Sequence, residues 1–290
     1  MTDAATATLT APPQRFAFWR RFARNKSAVV GLVFLILVLL MAALAPILYP
    51  ADPFSLAGRP MLPPLSEGFP LGTDTLGRDI LRGILNGARV SLLVGLSAAA
   101  AALTIGIVIG ACAGYFRGWL DDLLMRFTDV FQTIPNFLFA FVLVAMFGTS
   151  LVNVVIAIAL VSWPPIARLV RAETLSLRER EFVQSCIVIG MGEGSIIFRQ
   201  ILPNAMPPVI VMSSIMVATA ILTEAGLSFL GLGDPNVMSW GTMIGIGRSA
   251  LRTAWYMAAI PGVCILLTVL ALNLVGEGLN DALNPHLKNR

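Results

Sequence analysis

RAETLSLREREFVQSCIVIGMGEGSIIFRQILP, residues 171–203, is the polar interruption on which the reading of this chain turns. It separates two strongly apolar segments and has helical periodicity on both sides of a glycine-rich break. Phe182, Val183, Cys186, Ile187 and Ile189 recur at spacings of three and four, which places them on one face of a helix. Arg178, Glu179, Arg180 and Glu181 crowd in just before them. Gly190, Gly192 and Gly194 then supply a sharp turn, because glycine reaches backbone angles closed to other residues. A second apolar run, Ile196, Ile197 and Ile201, leads into Pro203. The pattern predicts a helix, a turn and a second helix lying across the end of a membrane bundle, as a docking surface.

Composition sets the class. Of 290 residues, 57% are hydrophobic and 12% charged, against about 25% charged in an ordinary soluble domain. Residues 27–51, 90–116, 200–223 and 253–276 contain no Asp, Glu, Lys or Arg. Each is long enough to span, since about 20 helical residues cross a bilayer core. Residues 130–167 are also uncharged, and Gly148-Thr149-Ser150 divides them into two spans. An all-α membrane protein with six transmembrane helices is expected, each satisfying its backbone polar groups internally. Cys112, Cys186 and Cys264 lie in or beside different apolar segments, with no metal-site or disulfide spacing, and His286 is the lone histidine. Residues 1–26 are polar and basic, and the first apolar run is too long for a cleavable leader. The sequence has no phosphate-binding Gly-x-x-x-x-Gly-Lys loop, dinucleotide fingerprint, His-Glu-x-x-His or Gly-x-Ser-x-Gly. A non-catalytic chain, with no cofactor of its own, is the expectation.

Charge asymmetry orients the spans. Arg15, Arg20, Arg21, Arg24 and Lys26 precede the first one and place the N-terminus in the cytoplasm. An orientation signal is preferred to a nucleic-acid patch for these residues. With six spans, 14 Lys and Arg fall on the inner side and six on the outer, which also puts residues 171–203 and the C-terminus inside. The expected divisions are an inner tail at 1–26, with 1–14 disordered, a first span at 27–49 and an outer loop at 50–89. A five-span core at 90–277, including the inner loop 171–203, and an inner tail at 278–290 complete them.

Single positions add detail. The outer loop is proline-rich at first, then carries Ile80, Leu81, Ile84 and Leu85 at helical spacing, predicting an amphipathic helix at the outer interface. Gly106, Gly110 and Gly114 allow close helix packing, within the bundle or against a second membrane subunit. Arg126 and Asp129 are spaced to pair on one helical face. Pro135-Asn136 and Trp163-Pro164-Pro165 break two spans, as hinges or as static kinks. Glu224 lies roughly 30 Å along the fifth span at about 1.5 Å per residue. Two readings of it stay open. Intramembrane carboxylates face a cavity by default, so Glu224 lines a path with Thr223 and Ser228, alongside Pro135 and Asn136. Alternatively it caps or pairs with a loop arginine such as Arg248.

Gln184-Ser185-Cys186, then Gly190, then Leu202-Pro203, resembles the cytoplasmic coupling loop of ABC-importer permeases. That family's pattern is Glu-Ala-Ala, three residues, Gly, nine residues, Ile, any residue, Leu-Pro. Gln184, Ser185 and Cys186 replace Glu-Ala-Ala, and Gln200 stands where Ile is usual. EREFVQ, RQILPN, Gly72-Thr73-Asp74, Gly77-Arg78-Asp79, ILTEAGLSFLGLG and the ending GEGLNDALNP are similar to the second-permease type of the dipeptide, oligopeptide and nickel branch. The resemblance covers about residues 15–290. It implies a type I ABC importer permease fold with a cytoplasmic coupling helix, in the inner membrane of a bacterium. It also implies a second permease, two ATPase subunits holding ATP and Mg, and an external solute-binding protein. Glu181, Gln184, Ser185, Cys186, Gly190, Met191 and Gly192 are implied to meet the ATPase. Import of di- or oligopeptides is the leading function. Nickel complexes, opines and glycosides are carried by related systems, and an ion-coupled secondary carrier is the reading from another class.

Overall fold

The computed structural model describes residues 14–283. The disorder expected for residues 1–14, and the last seven residues of the inner tail, therefore fall outside it but for Gln14. Helices α1 (Gln14–Arg24) and α2 (Lys26–Leu48) are followed by a long loop, then α3 (Ile80–Phe116) and α4 (Gly118–Thr133). Next come α5 (Asn136–Phe147), α6 (Leu151–Ser162), α7 (Pro164–Arg178), α8 (Glu181–Val188) and one turn of α9 (Glu193–Ser195). A π-helical segment (Ile196–Ile201) leads into α10 (Leu202–Phe229), and α11 (Trp240–Gly247) and α12 (Tyr256–Leu283) close the chain. Among the described residues four helices are each long and apolar enough to cross a membrane, and counting each of two bent pairs, α4 with α5 at 83° and α6 with α7 at 43°, as one span gives up to six. The bends sit at Ile134-Pro135 and at Trp163-Pro164, where proline removes a backbone donor.

The organising helix is α3. Asp79 caps it by accepting from the Leu81 amide at 2.9 Å, and 37 residues then run without a break, about 55 Å at about 1.5 Å per residue. The amphipathic segment expected on the outer interface is helical, but it is the first turns of this span and not a separate helix. Gly83 and Gly87 explain why. An added Cβ would lie 2.8 Å from Met243 and 2.9 Å from Trp240, so this face is buried under α11. Trp240 donates its indole N–H to the Ile84 carbonyl at 3.0 Å, completing the seal.

Farther along α3, the glycine stripe receives α7. A Cβ at Gly106 would lie 2.7 Å from Ile166 Cβ, at Gly110 2.4 Å from the Ala167 carbonyl oxygen, and at Gly114 2.7 Å from Thr174 Cβ. The stripe therefore packs two helices of one chain, which decides between the two roles its spacing allowed. Helix α10 lies against α3 through Gly95 and Ile221 and against α12 through Ser214 and Gly276. At the other side, Asn25 ties the α1–α2 elbow to α12 by donating to Asp281 at 2.9 Å.

The loop 50–79 is held from within. Thr73 donates to the Arg59 carbonyl at 2.6 Å and accepts from the Leu62 amide at 2.9 Å. Asp74 accepts the Leu76 and Arg78 amides. Gly72 and Gly77 have positive φ, and a Cβ there would strike the Leu62 and Gly58 carbonyls at 2.4 and 2.2 Å. Tyr256 donates to the Leu62 carbonyl at 2.8 Å and fastens the loop to α12.

Gly110→Leu should destabilise the purified chain by about 3 kcal/mol, the upper part of the overpacking range, because the nearest atoms are backbone. Gly262→Leu, where an added Cβ meets nothing within 4 Å, should stay within about 0.5 kcal/mol. Thermal unfolding in detergent compares the two.

Candidate functional site

The elbow has the helix and the glycine turn that the pattern predicts, but the expected second helix is no separate element: Glu193–Ser195 and the π-helical segment run on into α10 as one span. Helix α8 begins with Glu181, whose charge suits a helix N-terminus. It ends in a Schellman turn: the Gly190 amide donates to Ile187 O and the Met191 amide to Cys186 O, both at 3.0 Å. Gly190 sits at φ +77, and no atom lies within 4 Å of an added Cβ. Glycine is therefore required for backbone conformation and not for space.

Val183 is fully buried, and Cys186 and Met191 pack beside it against the core that holds Ile196, Ile197 and Ile201. The i→i+5 winding of residues 196–201, with the Leu202 amide reaching Ile197 O, turns all three isoleucines inward. Phe182, Ile187 and Ile189, grouped by spacing on one face with Val183 and Cys186, point outward. Val188 and Ile189 are 85% and 75% exposed, and Phe198 nearby is 66% exposed. The reason is length: α8 has eight residues, and only one narrow stripe of so short a helix reaches the core. The result is an apolar ridge beside bare glycines at 190, 192 and 194.

Of the residues read as contacts, Glu181, Gln184, Ser185, Gly190 and Gly192 are exposed, whereas Cys186 and Met191 are half-buried toward the core. Gln184 donates to the Arg178 carbonyl and Ser185 to the Glu181 carbonyl, each at 2.9 Å. Gln184 thereby braces the α7–α8 elbow, while Ser185 bonds back within α8.

Three ion pairs, running in opposite chain directions, join α4 and its N-terminal cap to α7. Arg117 pairs with Glu179. Arg171 grips Asp121 with two nitrogens at 2.5 and 2.7 Å. Arg168 donates to Asp129 at 2.5 Å. The pairing expected between Arg126 and Asp129 is thus replaced, because α7 crosses α4 and offers a guanidinium with better reach. Arg178 also lies 5.3 Å over the Tyr115 ring, at the end of α3. These partners lie 39 and 50 residues apart in sequence for the two α4–α7 helix pairs, so no local pattern announces them.

The second set of predicted residues is only partly gathered. Pro135 and Asn136 are exposed at the α4–α5 bend, and a Cβ at Gly226 would lie 2.8 Å from the ring of Phe137, which sets that bend against α10. Thr223 is half-buried and donates back to Thr219 O at 2.8 Å. Glu224 is 4% exposed. Ser228 and Ser239 each donate to its Oε1 at 2.7 Å, while Oε2 has no partner among the described residues. Arg248, the alternative partner, donates instead to the Phe229 carbonyl at 2.9 Å. The carboxyl thereby ties α10 to Ser239, which also caps α11 by accepting the Thr242 amide at 3.1 Å. Ser239 was not singled out from sequence. Its signal was a serine directly before the helical run at Trp240.

Residues 102–289 match the family described as binding-protein-dependent transport system inner membrane component. Residues 16–64 match the N-terminal transmembrane domain of oligopeptide transport permease C. The chain is 42% identical to a di/tripeptide transport system permease protein, DppC, of Pseudomonas aeruginosa, over 99% of this chain and 97% of that protein. It is 41% identical to a glutathione transport system permease protein, GsiD, of Pectobacterium atrosepticum, over 94% and 91%. Among solved structures, a chain of the MetNI methionine ABC transporter in inward-facing conformations aligns with TM-score 0.56 at 16% identity, over 70% of this chain and 96% of that one. That likeness concerns the fold.

Asp121→Ala leaves Arg171 half-buried without its carboxylate and should cost roughly 2 kcal/mol, below the ~3–5 of a fully buried pair. Asp129→Ala breaks an exposed pair and should cost no more than about 0.5–1 kcal/mol. Chemical unfolding of the two variants in one detergent gives the comparison.

Proposed function

Because this chain belongs to the family of inner-membrane components of binding-protein-dependent transport systems, we propose that it is the second-type permease of an ABC importer for di- and oligopeptides. As a multi-pass transport component it forms part of a pathway and does no bond chemistry. ATP and Mg are held by two partner ATPase subunits, a second permease completes the pathway, and an external binding protein delivers cargo. Both termini and the α7–α8 elbow face the cytoplasm, and residues 50–79 face outward. Peptide cargo is supported by near full-length likeness to permeases named for dipeptide, tripeptide and glutathione transport. Glutathione, itself a tripeptide thiol, falls in the same chemical class.

The observation that carries the reading is the α8 ridge. Apolar side chains normally avoid water, and a short helix that shows Ile187, Val188 and Ile189 at the polar end of a membrane bundle suits a groove on another protein. Glu181, Gln184, Ser185, Gly190 and Gly192 frame that contact, while Cys186 and Met191 set its height from behind. Packed helices move as rigid bodies, so a push on α8 passes into α7 through the Val183 cluster and the braced elbow. It continues into α4 through the ion pairs. Pro135 and Asn136, exposed at the α4–α5 bend, belong to the solute path on this reading. Thr223 borders it, and Glu224 with Ser228 holds the outer wall in place from behind.

Gly190→Val costs about 1–2 kcal/mol in local conformation and should distort the Schellman turn with the bundle intact. In proteoliposomes holding the full complex, ATP hydrolysis should persist while dipeptide uptake falls at least tenfold. Val188→Asp with Ile189→Asp should instead lose the ATPase subunits on purification. Normal uptake by both variants would sink the docking assignment. Uptake driven by an ion gradient, without any ATPase, would sink the importer reading as a whole.

A further inference from the structure

At the end of α3 nearest the loop 50–79, an open recess of about 300 Å³ remains after the loop and α11 have sealed the rest. Its polar lining is Asp52, Asn86, Arg89 and Asn236, over an apolar floor that includes Val90 and Leu93. Asn86, Arg89, Val90 and Leu93 are spaced three and four apart, so one face of α3 forms a whole wall.

The recess offers an anionic acceptor, two amide groups and a cationic donor. Asn86 uses one N–H of its amide on the Arg82 carbonyl at 3.0 Å and keeps its carbonyl oxygen as a bare acceptor beside a second N–H. Asn236 uses one amide N–H on Asp234 at 3.2 Å, with the same result. Asp52 uses one carboxylate oxygen for the Phe54 amide at 2.9 Å and keeps the other. Three acceptors, one of them anionic, thus line the site. The one cationic donor is Arg89, which is exposed and makes no hydrogen bond or ion pair among the described residues. Arg59 and Arg252 also lack a side-chain partner among the described residues, but neither lines the recess, and three other arginines are engaged elsewhere. Arg78 approaches Asp74, Arg82 donates to Ser55, and Arg248 donates to Phe229.

A group with three N–H donors and a positive charge matches the acceptors, and a carboxylate matches the planar guanidinium fork. We infer that this recess binds the charged ends of a zwitterionic short peptide, with Asp52, Asn86 and Asn236 taking the α-ammonium and Arg89 the carboxylate. A volume near the lower limit of ligand sites, about 300 Å³, restricts the occupant to something small. The inference rests on the proposed peptide cargo, and adds a station for that cargo on this chain before it enters the path. Recognition by main-chain charges leaves side chains free, as a carrier of many different peptides requires.

The test uses the full chain in nanodiscs, without a binding protein, and ligand-observed saturation-transfer NMR. The probes are alanyl-alanine, its N-acetyl form, its C-terminal amide, and alanine. Alanyl-alanine should bind, and each blocked form should bind at least tenfold more weakly. Arg89→Met should weaken alanyl-alanine about tenfold and leave the amide unchanged. Asp52→Asn keeps the acceptor for the Phe54 amide and should weaken alanyl-alanine without changing the acetylated form. Equal affinity of both variants and the wild type would overturn the inference. So would equal binding of the amide and the free acid, or of alanine and alanyl-alanine. Peptide uptake by the wild-type complex with no binding here would overturn it too, and leave the proposed function standing. Binding here without ATP-driven uptake would support it while the importer reading fell.

Discussion

The packing of α7 into the glycine stripe of α3 is the contact on which the rest of the structure depends. Gly106, Gly110 and Gly114 lie one helical turn apart, and at each of them the neighbouring helix comes closer than a Cβ allows. Close approach gives extensive dispersion contact in a place where lipid offers no hydrophobic gain for helix association. It also fixes where α7 ends. Arg178 arrives over Tyr115, in the last turn of α3, and the chain turns there into α8. The elbow is thus carried by the longest helix in the molecule and does not hang from a loose connection.

The other end is built on a different principle. Around residues 50–79 the chain is irregular, and its stability comes from hydrogen bonds satisfied inside the loop. Thr73, Asp74 and Asp79 serve as internal acceptors or caps, and Gly72 and Gly77 permit turns that carbonyls crowd. Helix α11 then lies over the glycine face of α3 and is held to α10 by Glu224 through Ser239. A buried carboxyl that accepts two hydroxyl donors is a costly device. Its use here suggests that the position of α11 matters more than the stability forgone. Between the two ends, α3, α10 and α12 run unbroken, so a displacement of one end cannot stay local.

Legibility followed range. The spans, their number and their breaks could be read because each is a property of consecutive residues: uncharged length, or a proline that removes a donor. The glycine elbow at 190 was legible for the same reason. The faces of α8 were not. Helical spacing groups Phe182, Val183, Ile187 and Ile189 together, yet only Val183 reaches the core, because an eight-residue helix touches its support along one stripe. Asp129 looked paired to Arg126 on its own helix and belongs to Arg168 on another. The amphipathic start of α3 looked like a surface helix, but α11, with Trp240 lying 156 residues beyond Ile84 in sequence, covers it.

What the amino-acid order determined by itself is therefore the class of the protein: a six-span helical bundle with a polar elbow between its fourth and fifth spans. Hydropathy and backbone sterics act on neighbours and need no knowledge of the fold. What only the tertiary structure decided is which side chain meets which. The glycine stripe was assigned to α7, Glu224 to Ser228 and Ser239, the acids of α4 to the arginines of α7, and Arg89 to no partner among the described residues. Those choices depend on helix crossing angles and on the length of each connection, and such quantities exist only once the helices have packed.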